Sequence, residues 1–320
     1  MKVLITGGSG FIGSRLVQLL CASGYRVRIL SRKRKLSQGS ERGLVDFVQA
    51  DLLSSDCAFE EIVSGCSLVF NCTGEIREEG KMSALHVDAT SRLIDACKKL
   101  AKSSGQPLHW VQLSSVGAYG PIIGNARAER IVTESTTPAP VGIYETTKTK
   151  ADELLIAAEE EGVFSYSVLR PSNVFGAGMP NDSLRQWAHL IRRRLFFYVG
   201  SRKAISTYVH VNDVVNVLLL CGFDERAKGE IFNISNDCPQ EQLVKAIAAN
   251  LNVSAPNLCL PEWMVRFLSR TFSGVPGFPL TESRINSLVA RTYYPSSKLE
   301  SVLGYRLQYP VTETVAEILS

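Results

Sequence analysis

The opening of the chain constrains its fold more than any other stretch. Lys2-Val3-Leu4-Ile5-Thr6 has strand character and runs directly into Gly7-Gly8-Ser9-Gly10-Phe11-Ile12-Gly13, after which Ile12–Ala22 reads as a helix. Two glycine spacings are present together: G-x-G-x-x-G at Gly8, Gly10 and Gly13, and G-x-x-G-x-x-G at Gly7, Gly10 and Gly13. A strand that turns at once into a helix needs positive φ in the turn, close backbone approach to any bound pyrophosphate, and tight packing of helix on strand. The free N–H groups of the new helix then face the phosphates. Glycine clusters alone say little. Between a strand and a helix at the start of a βαβ unit, this one stands where a dinucleotide site requires it.

The alternation continues. Tyr25–Leu30, Val45–Gln49, Ser67–Asn71, Leu108–Leu113 and Phe164–Leu169 read as strands, with helical patterns at Ala58–Val63, Met82–Lys102 and Tyr144–Glu160. Such a sequence predicts an α/β protein with a doubly wound parallel Rossmann-type sheet covered on both faces. Beyond Arg170 the regularity fades, returning as strand and helix at Thr207–Leu220 and as a strand at Glu230–Ile234. The expected division is therefore a dinucleotide-binding domain (residues 1–170 and 205–236) and a smaller, mostly helical substrate-binding cap (171–204 and 237–320). The helical pattern from Pro261 to Leu268 carries an apolar stripe, which at that spacing is expected to be core, the alternative being a partner or membrane surface.

Composition excludes other classes. With 320 residues, 45% hydrophobic and 21% charged, the chain is globular. A net charge of +4 is too mild for a nucleic-acid binder. The most apolar stretch, Val214 to Cys221, contains Asn216 and is far short of the roughly 18–20 residues that cross a bilayer. Cys21, Cys57, Cys66, Cys72, Cys97, Cys221, Cys238 and Cys259 form no C-x-x-C pair and no zinc spacing. Free thiols, and a start without a leader pattern, fit a reducing cytoplasm, with no membrane or metal expected.

The second strand ends in Leu30-Ser31-Arg32-Lys33-Arg34-Lys35. NAD sites place an Asp or Glu here for the ribose 2′-hydroxyl. This chain offers cations, which suit a 2′-phosphate, so NADP is expected ahead of NAD, with Ser31, Arg32 and Lys33 as contacts. The alternative is a solvated basic loop. Asp51-Leu52 after the third strand suits an adenine contact or, equally, a helix cap.

Tyr144 and Lys148 lie four apart at the start of a helix and share a face. Tyr-x-x-x-Lys is common by chance, and Tyr294 with Lys298 is a second copy, set aside because Pro295 interrupts it in the cap. The first copy follows the strand that ends in Ser114-Ser115. A phenol titrates near pH 10 and is a poor base at neutral pH. A nearby ammonium favours the phenolate, which then exchanges a proton with a substrate hydroxyl or carbonyl.

Together with the glycine loop, Ser114-Ser115-Val116-Gly117-Ala118-Tyr119-Gly120, Tyr144-Glu145-Thr146-Thr147-Lys148, Arg170-Pro171-Ser172-Asn173-Val174-Phe175-Gly176, Tyr208-Val209-His210-Val211-Asn212-Asp213 and Leu303-Gly304-Tyr305 occur in an order that resembles the extended short-chain dehydrogenase/reductase family, nucleotide-sugar epimerase/reductase branch. The resemblance implies Ser115, Tyr144 and Lys148 as catalytic residues. Its cofactor contacts are Gly7, Gly10, Phe11, Ile12, Gly13, Gly74, Ser114, Tyr144, Lys148 and Pro171. Otherwise the Ser115 hydroxyl makes a local backbone bond. His86, where relatives carry Asn, and His210 read as structural.

Dehydratases of this type carry Asp-Glu after the serine. Val116, Gly117 and Ala118 stand there, so no dehydratase activity is expected. The implied function is an NAD(P)-dependent epimerase or ketoreductase of a nucleotide-linked sugar, working as a homodimer. The alternatives are an NADPH-dependent reductase of a non-sugar carbonyl and a non-catalytic dinucleotide sensor. Ser115, at the reacting oxygen, Asn173 and Arg202 are the implied substrate contacts. Ser206 replaces an arginine usual in relatives, and Arg202 or Lys203 is expected to substitute. Arg192, Arg193 and Arg194 read equally as phosphate ligands or a solvated helix end.

Overall fold

The computed structural model describes residues 1–32, 43–122, 128–272 and 281–319. Seven parallel strands form its main sheet: β1 (Lys2–Thr6), β2 (Arg26–Ser31), β3 (Val45–Gln49), β4 (Leu68–Asn71), β5 (Leu108–Leu113), β6 (Phe164–Pro171) and β7 (Glu230–Ile234). Their spatial order is β7-β6-β5-β4-β1-β2-β3. The order reverses between β1 and β4, whose ends align Thr6 with Asn71. In such sheets the crevice beyond the strand ends at that reversal is where ligands bind.

Strand alternation divides the core between the two faces. Val3 and Ile5 pack with Leu16 and Leu20 of α1 (Phe11–Ala22), while Leu4 joins Val69, Trp110 and Phe164 on the opposite face. There α2 (Ala89–Ser104) adds Leu93 and Ile94, and α3 (Ile143–Ala157) adds Leu155. Immediately before α2, Ala84–Asp88 form a π-helical turn carrying His86, a local widening often found at functional sites. α3 ends at Ala157, short of the expected Glu160, because the Glu160 N–H turns to bond Phe164 O.

The strand Ile205–His210 lies outside the main sheet. It pairs in parallel with Asn173–Phe175 and antiparallel with Asn236–Pro239. With α4 (Ser183–Arg192) and α6 (Gln240–Asn250) it encloses a third core around Phe175, Leu184, Tyr208 and Leu243. α5 (Val211–Phe223) returns to the main sheet through Val214 and Leu218. Last come α7 (Glu262–Thr271) and α8 (Glu282–Val289), joined by a small cluster of Val265, Ile285 and Val289.

α7 corrects one expectation. Its stripe is not core: Trp263 is 73% and Phe267 64% exposed, and only the Val265 side turns inward. All eight cysteines are free, and only Cys259 is exposed. Among the described residues no helix is long and apolar enough to cross a membrane.

Candidate active site

The glycine turn is built from backbone. Gly7 adopts φ +67°, and its carbonyl accepts from Gly10 N at 2.9 Å. A Cβ on Gly13 would stand 2.2 Å from Gly7 O, and one on Gly7 2.6 Å from Cys72 O. The turn therefore lies directly against the end of β4, with no room for side chains. Beneath it Thr6 Oγ1 donates to Asn71 Oδ1 at 2.5 Å, and Asn71 Nδ2 donates to Gln112 Oε1 at 3.1 Å. These bonds lock the ends of β1, β4 and β5. Phe11 and Ile12 open α1, half-buried. Two residues past Gly13, Arg15 donates to Ala177 O at 2.7 Å and to Asn212 Oδ1 at 3.1 Å. This bare backbone cradle at a helix start fits a dinucleotide pyrophosphate. Gly74 has open space around it, and nearby Thr73 Oγ1 is buried without a partner.

Beyond β2, Arg32 and Asp51 line one cleft of about 490 Å³ with Gln49 and Asp56. Ser31 sits half-buried at the strand end. Asp51 Oδ1 accepts from Leu53 N at 3.0 Å, so the carboxylate closes a local turn. Leu52 departs from expectation: it is buried in the core against Phe59 and Ile62 rather than lining the cleft. Lys33, Arg34 and Lys35 lie outside the described residues.

The chemistry-bearing residues gather beyond β4 and β5. The two serines have different duties. Ser114 Oγ donates inward to Asp152 Oδ2 at 2.6 Å. Ser115 is half-buried, and its Oγ accepts from Gly117 N at 3.1 Å, which leaves its proton for another acceptor. Lys148 is buried, and its Nζ donates to Leu113 O at 2.6 Å and Thr73 O at 3.5 Å. These bonds pin the amine between the ends of β4 and β5. Burial lowers the Lys148 pKa, against the raising effect of the Asp152 carboxylate.

Tyr144 is half-buried at the start of α3. Burial pushes its phenol up to about 12, and the charges of Glu145 and Asp152 add to the rise. The expectation of a phenol lowered by its lysine is thus not met by the protein's own groups. The phenol is held protonated at neutral pH. Pro171, also buried, ends β6 opposite Ile234.

His86 packs edge-on against Tyr144, with ring centroids 5.6 Å apart. Its Nε2 accepts from Glu75 N at 2.9 Å, so the proton sits on Nδ1, 2.8 Å from Thr147 Oγ1. Thr147 Oγ1 in turn donates to Ile143 O at 2.8 Å. Burial, then the Lys148 charge, lowers the His86 pKa to about 4. Unfolded imidazole titrates near 6.5. Between about pH 6.5 and 4 the unfolded chain therefore binds a proton that the folded chain does not, and stability falls as pH drops through that window. The urea midpoint should be lower at pH 5 than at pH 7, and His86→Gln should flatten the difference. An undiminished difference in that variant would assign the loss to other groups.

A cavity of about 980 Å³ lies between α4, α8 and the strand Ile205–His210. Asn173 lines it while donating to Thr207 O at 3.1 Å. Arg202 does not: it pairs with Glu241 at 3.3 Å, donates to Asn257 O at 2.7 Å and lies over the Tyr198 ring. Arg192, Arg193 and Arg194 are exposed and absent from its wall. Two residues in or beside the site, Arg284 and Asp152, are not among those expected from the sequence, and a third, Tyr294, is set aside there. Arg284 and Tyr294 line the cavity. Asp152 is buried one further helical turn beyond Lys148. Only Asp152 carried a signal, the spacing of four along α3. Lys298, the partner of Tyr294 in the discarded motif, pairs instead with Glu230 at 2.6 Å.

Residues 3–235 match the NAD-dependent epimerase/dehydratase family along most of this chain. The chain belongs to that family. It is an enzyme of the extended short-chain dehydrogenase/reductase type, an NAD-dependent oxidoreductase/epimerase family. Among its relatives is a dTDP-6-deoxy-L-talose 4-dehydrogenase (NAD(P)(+)) of Kitasatospora kifunensis, 34% identical over 71% of each chain. The decarboxylating sterol-4-alpha-carboxylate 3-dehydrogenase of Bos taurus is 25% identical, over 95% of this chain and 88% of the relative. The solved structure of MoeE5 in complex with UDP-glucose and NAD shares the fold, with TM-score 0.73 and 24% identity over 100% of this chain and 97% of that one. In this chain α3 carries Tyr144 near its start and brings the Lys148 amine to Leu113 O and Thr73 O, beyond the ends of β5 and β4.

Proposed function

We propose that this protein interconverts a ketone and a secondary alcohol on a nucleotide-linked sugar, as a ketoreductase or epimerase, with Tyr144 exchanging the proton. The observation that carries this is the buried Lys148 amine, held on Leu113 O and on Thr73 O against the bare glycine turn, with Tyr144 one helical turn before it and the half-buried Ser115 two residues past Leu113. When bound, the nicotinamide dinucleotide supplies or accepts the hydride. Gly7, Gly10, Phe11, Ile12 and Gly13 would hold its phosphates. Ser114, Gly74, Pro171 and the Lys148 amine would hold the nicotinamide end. Tyr144, kept protonated, donates to the carbonyl oxygen as hydride reaches the carbon, and recovers the proton in reverse. Ser115 donates to the same oxygen. Arg32, exposed at the cleft where no carboxylate ends β2, supports NADP ahead of NAD.

The cap cavity is the substrate's place in this reading. Residues 1–170 and 211–236 serve the dinucleotide, while 171–204, 237–320 and the strand Ile205–His210 serve the substrate. Arg284 and Asn173 in its wall, and the 34% identical dTDP-sugar dehydrogenase, favour the nucleotide-linked sugar. A second reading, reduction of a non-sugar carbonyl, is favoured by the apolar wall of Trp187, Leu195, Phe196 and Phe197 and by Arg202 facing elsewhere.

Purified protein given dTDP-6-deoxy-L-talose and NADP⁺ should reduce one cofactor per sugar oxidised. Sugar isomerisation without net cofactor change would mean epimerisation. Turnover of a neutral polycyclic ketone with NADPH, and none of the dTDP-sugar, would favour the second reading.

A further inference from the structure

Ser206 carries a hydroxyl that the fold leaves without a bond. The residue is 6% exposed and forms part of the cavity wall, yet its Oγ has no hydrogen-bond partner. Three segments converge around it. Ser206 lies opposite Cys238 in the antiparallel pair, and Gln240 N donates to Ala204 O at 2.8 Å. On the other side Ile205 N donates to Ala290 O at 2.9 Å. Gln240, 3% exposed, and Thr292, 9% exposed, line the same cavity as Ser206. The charged residues among those described in the wall are Asp182 and Arg284, borne by other elements, and Asp182 is paired with Arg185 at 2.6 Å.

We propose that Ser206, Gln240 and Thr292 form a subsite for an uncharged hydrogen-bonding group of the substrate, a hydroxyl, carbonyl or carboxamide, and that no phosphate or carboxylate is seated there. The proposal rests on the cap cavity being the substrate's place. Two hydroxyls and one carboxamide supply donors and acceptors together. They supply no positive charge to offset an anion taken out of water. A buried hydroxyl without a partner is unfavourable in the free protein, and a neutral ligand group removes that deficit. On a nucleotide-linked sugar, the diphosphate then lies toward Arg284 and a neutral part of the ligand meets Ser206.

Two measurements test this on the full chain. Crystals soaked in acetamide should show it within hydrogen-bond reach of Ser206 Oγ and the Gln240 carboxamide, while crystals soaked in inorganic phosphate should show none there. Phosphate on these residues, or neither probe, overturns the proposal. In solution Ser206→Ala should raise the thermal midpoint by about 1–3 °C, because it deletes an unpaired buried hydroxyl. An unchanged or lower midpoint would show a hydroxyl already satisfied within the fold and would also overturn it. Neither readout depends on turnover. Failure of hydride transfer with dTDP-6-deoxy-L-talose would count against the sugar reading alone.

Discussion

Tyr144→Phe should lower kcat for hydride transfer by about 10²–10⁴-fold, the usual contribution of a positioned proton donor, while dinucleotide affinity stays within about twofold. The substitution removes one oxygen. The ring that packs edge-on against His86 remains, so α3 and the π-helical turn keep their contact. In the proposed mechanism the phenol, pushed up to about 12 by burial, enters carbonyl reduction carrying its proton, and alcohol oxidation returns that proton to the phenolate. Phenylalanine carries none, and the developing alkoxide is left with Ser115 alone. Single-turnover rates with dTDP-6-deoxy-L-talose or its 4-keto product, alongside calorimetry of NADP binding, separate the chemical defect from a folding defect. A kcat within tenfold of wild type would remove Tyr144 from the chemistry.

The largest loss of stability should follow Arg170→Ala. The Arg170 and Asp152 side chains are 3% and 1% exposed, and Arg170 Nη2 lies 3.1 Å from Asp152 Oδ2. Arg170 Nε donates to the same oxygen at 3.2 Å, as does Ser114 Oγ at 2.6 Å. The guanidinium also covers the Tyr119 ring, 5.0 Å from its centroid. Burial raises the Asp152 pKa, and the Arg170 charge is the main force holding it down. Removing the arginine strands a carboxylate in the interior, at a cost of about 3–5 kcal/mol. Arg170→Met combined with Asp152→Leu should recover most of this, since an apolar pair carries no desolvation penalty. Urea unfolding of the three chains checks the order, and a loss below about 1 kcal/mol in Arg170→Ala would mean that water already reaches the pair.

Whatever local physics decides was legible in the chain. β1, β3 and β5 fall on their expected residues because each is a short segment of Val, Ile, Leu, Phe or Trp with few polar residues among them, bounded by turn chemistry. The glycine turn was legible because close backbone approach excludes every larger residue. Long-range packing was less so. Nothing around Asp51-Leu52 says that the leucine turns into the core while the aspartate stays outside. Arg202 is drawn to Glu241, 39 positions later, a pairing invisible until α6 is placed. The stripe on α7 has the spacing of a core helix, yet the fold gives it Val265 as its buried contact and leaves Trp263 exposed. Tyr294, set aside as the start of a catalytic motif, lines the cavity and packs on the buried Tyr119, next to the strand Arg291–Tyr293 that pairs with Glu129–Ile131.

Arg15 has a consequence for how binding events communicate. Its guanidinium rises from the helix that begins at the glycine turn and holds Ala177 O, just past Asn173–Phe175, and Asn212, at the start of α5. The first turns of α1 and the approach to the cap are therefore clamped by one side chain. With a dinucleotide at the glycine turn and a substrate in the cap, as proposed, any coupling carried by this one side chain has equal strength in both directions, as thermodynamic reciprocity demands.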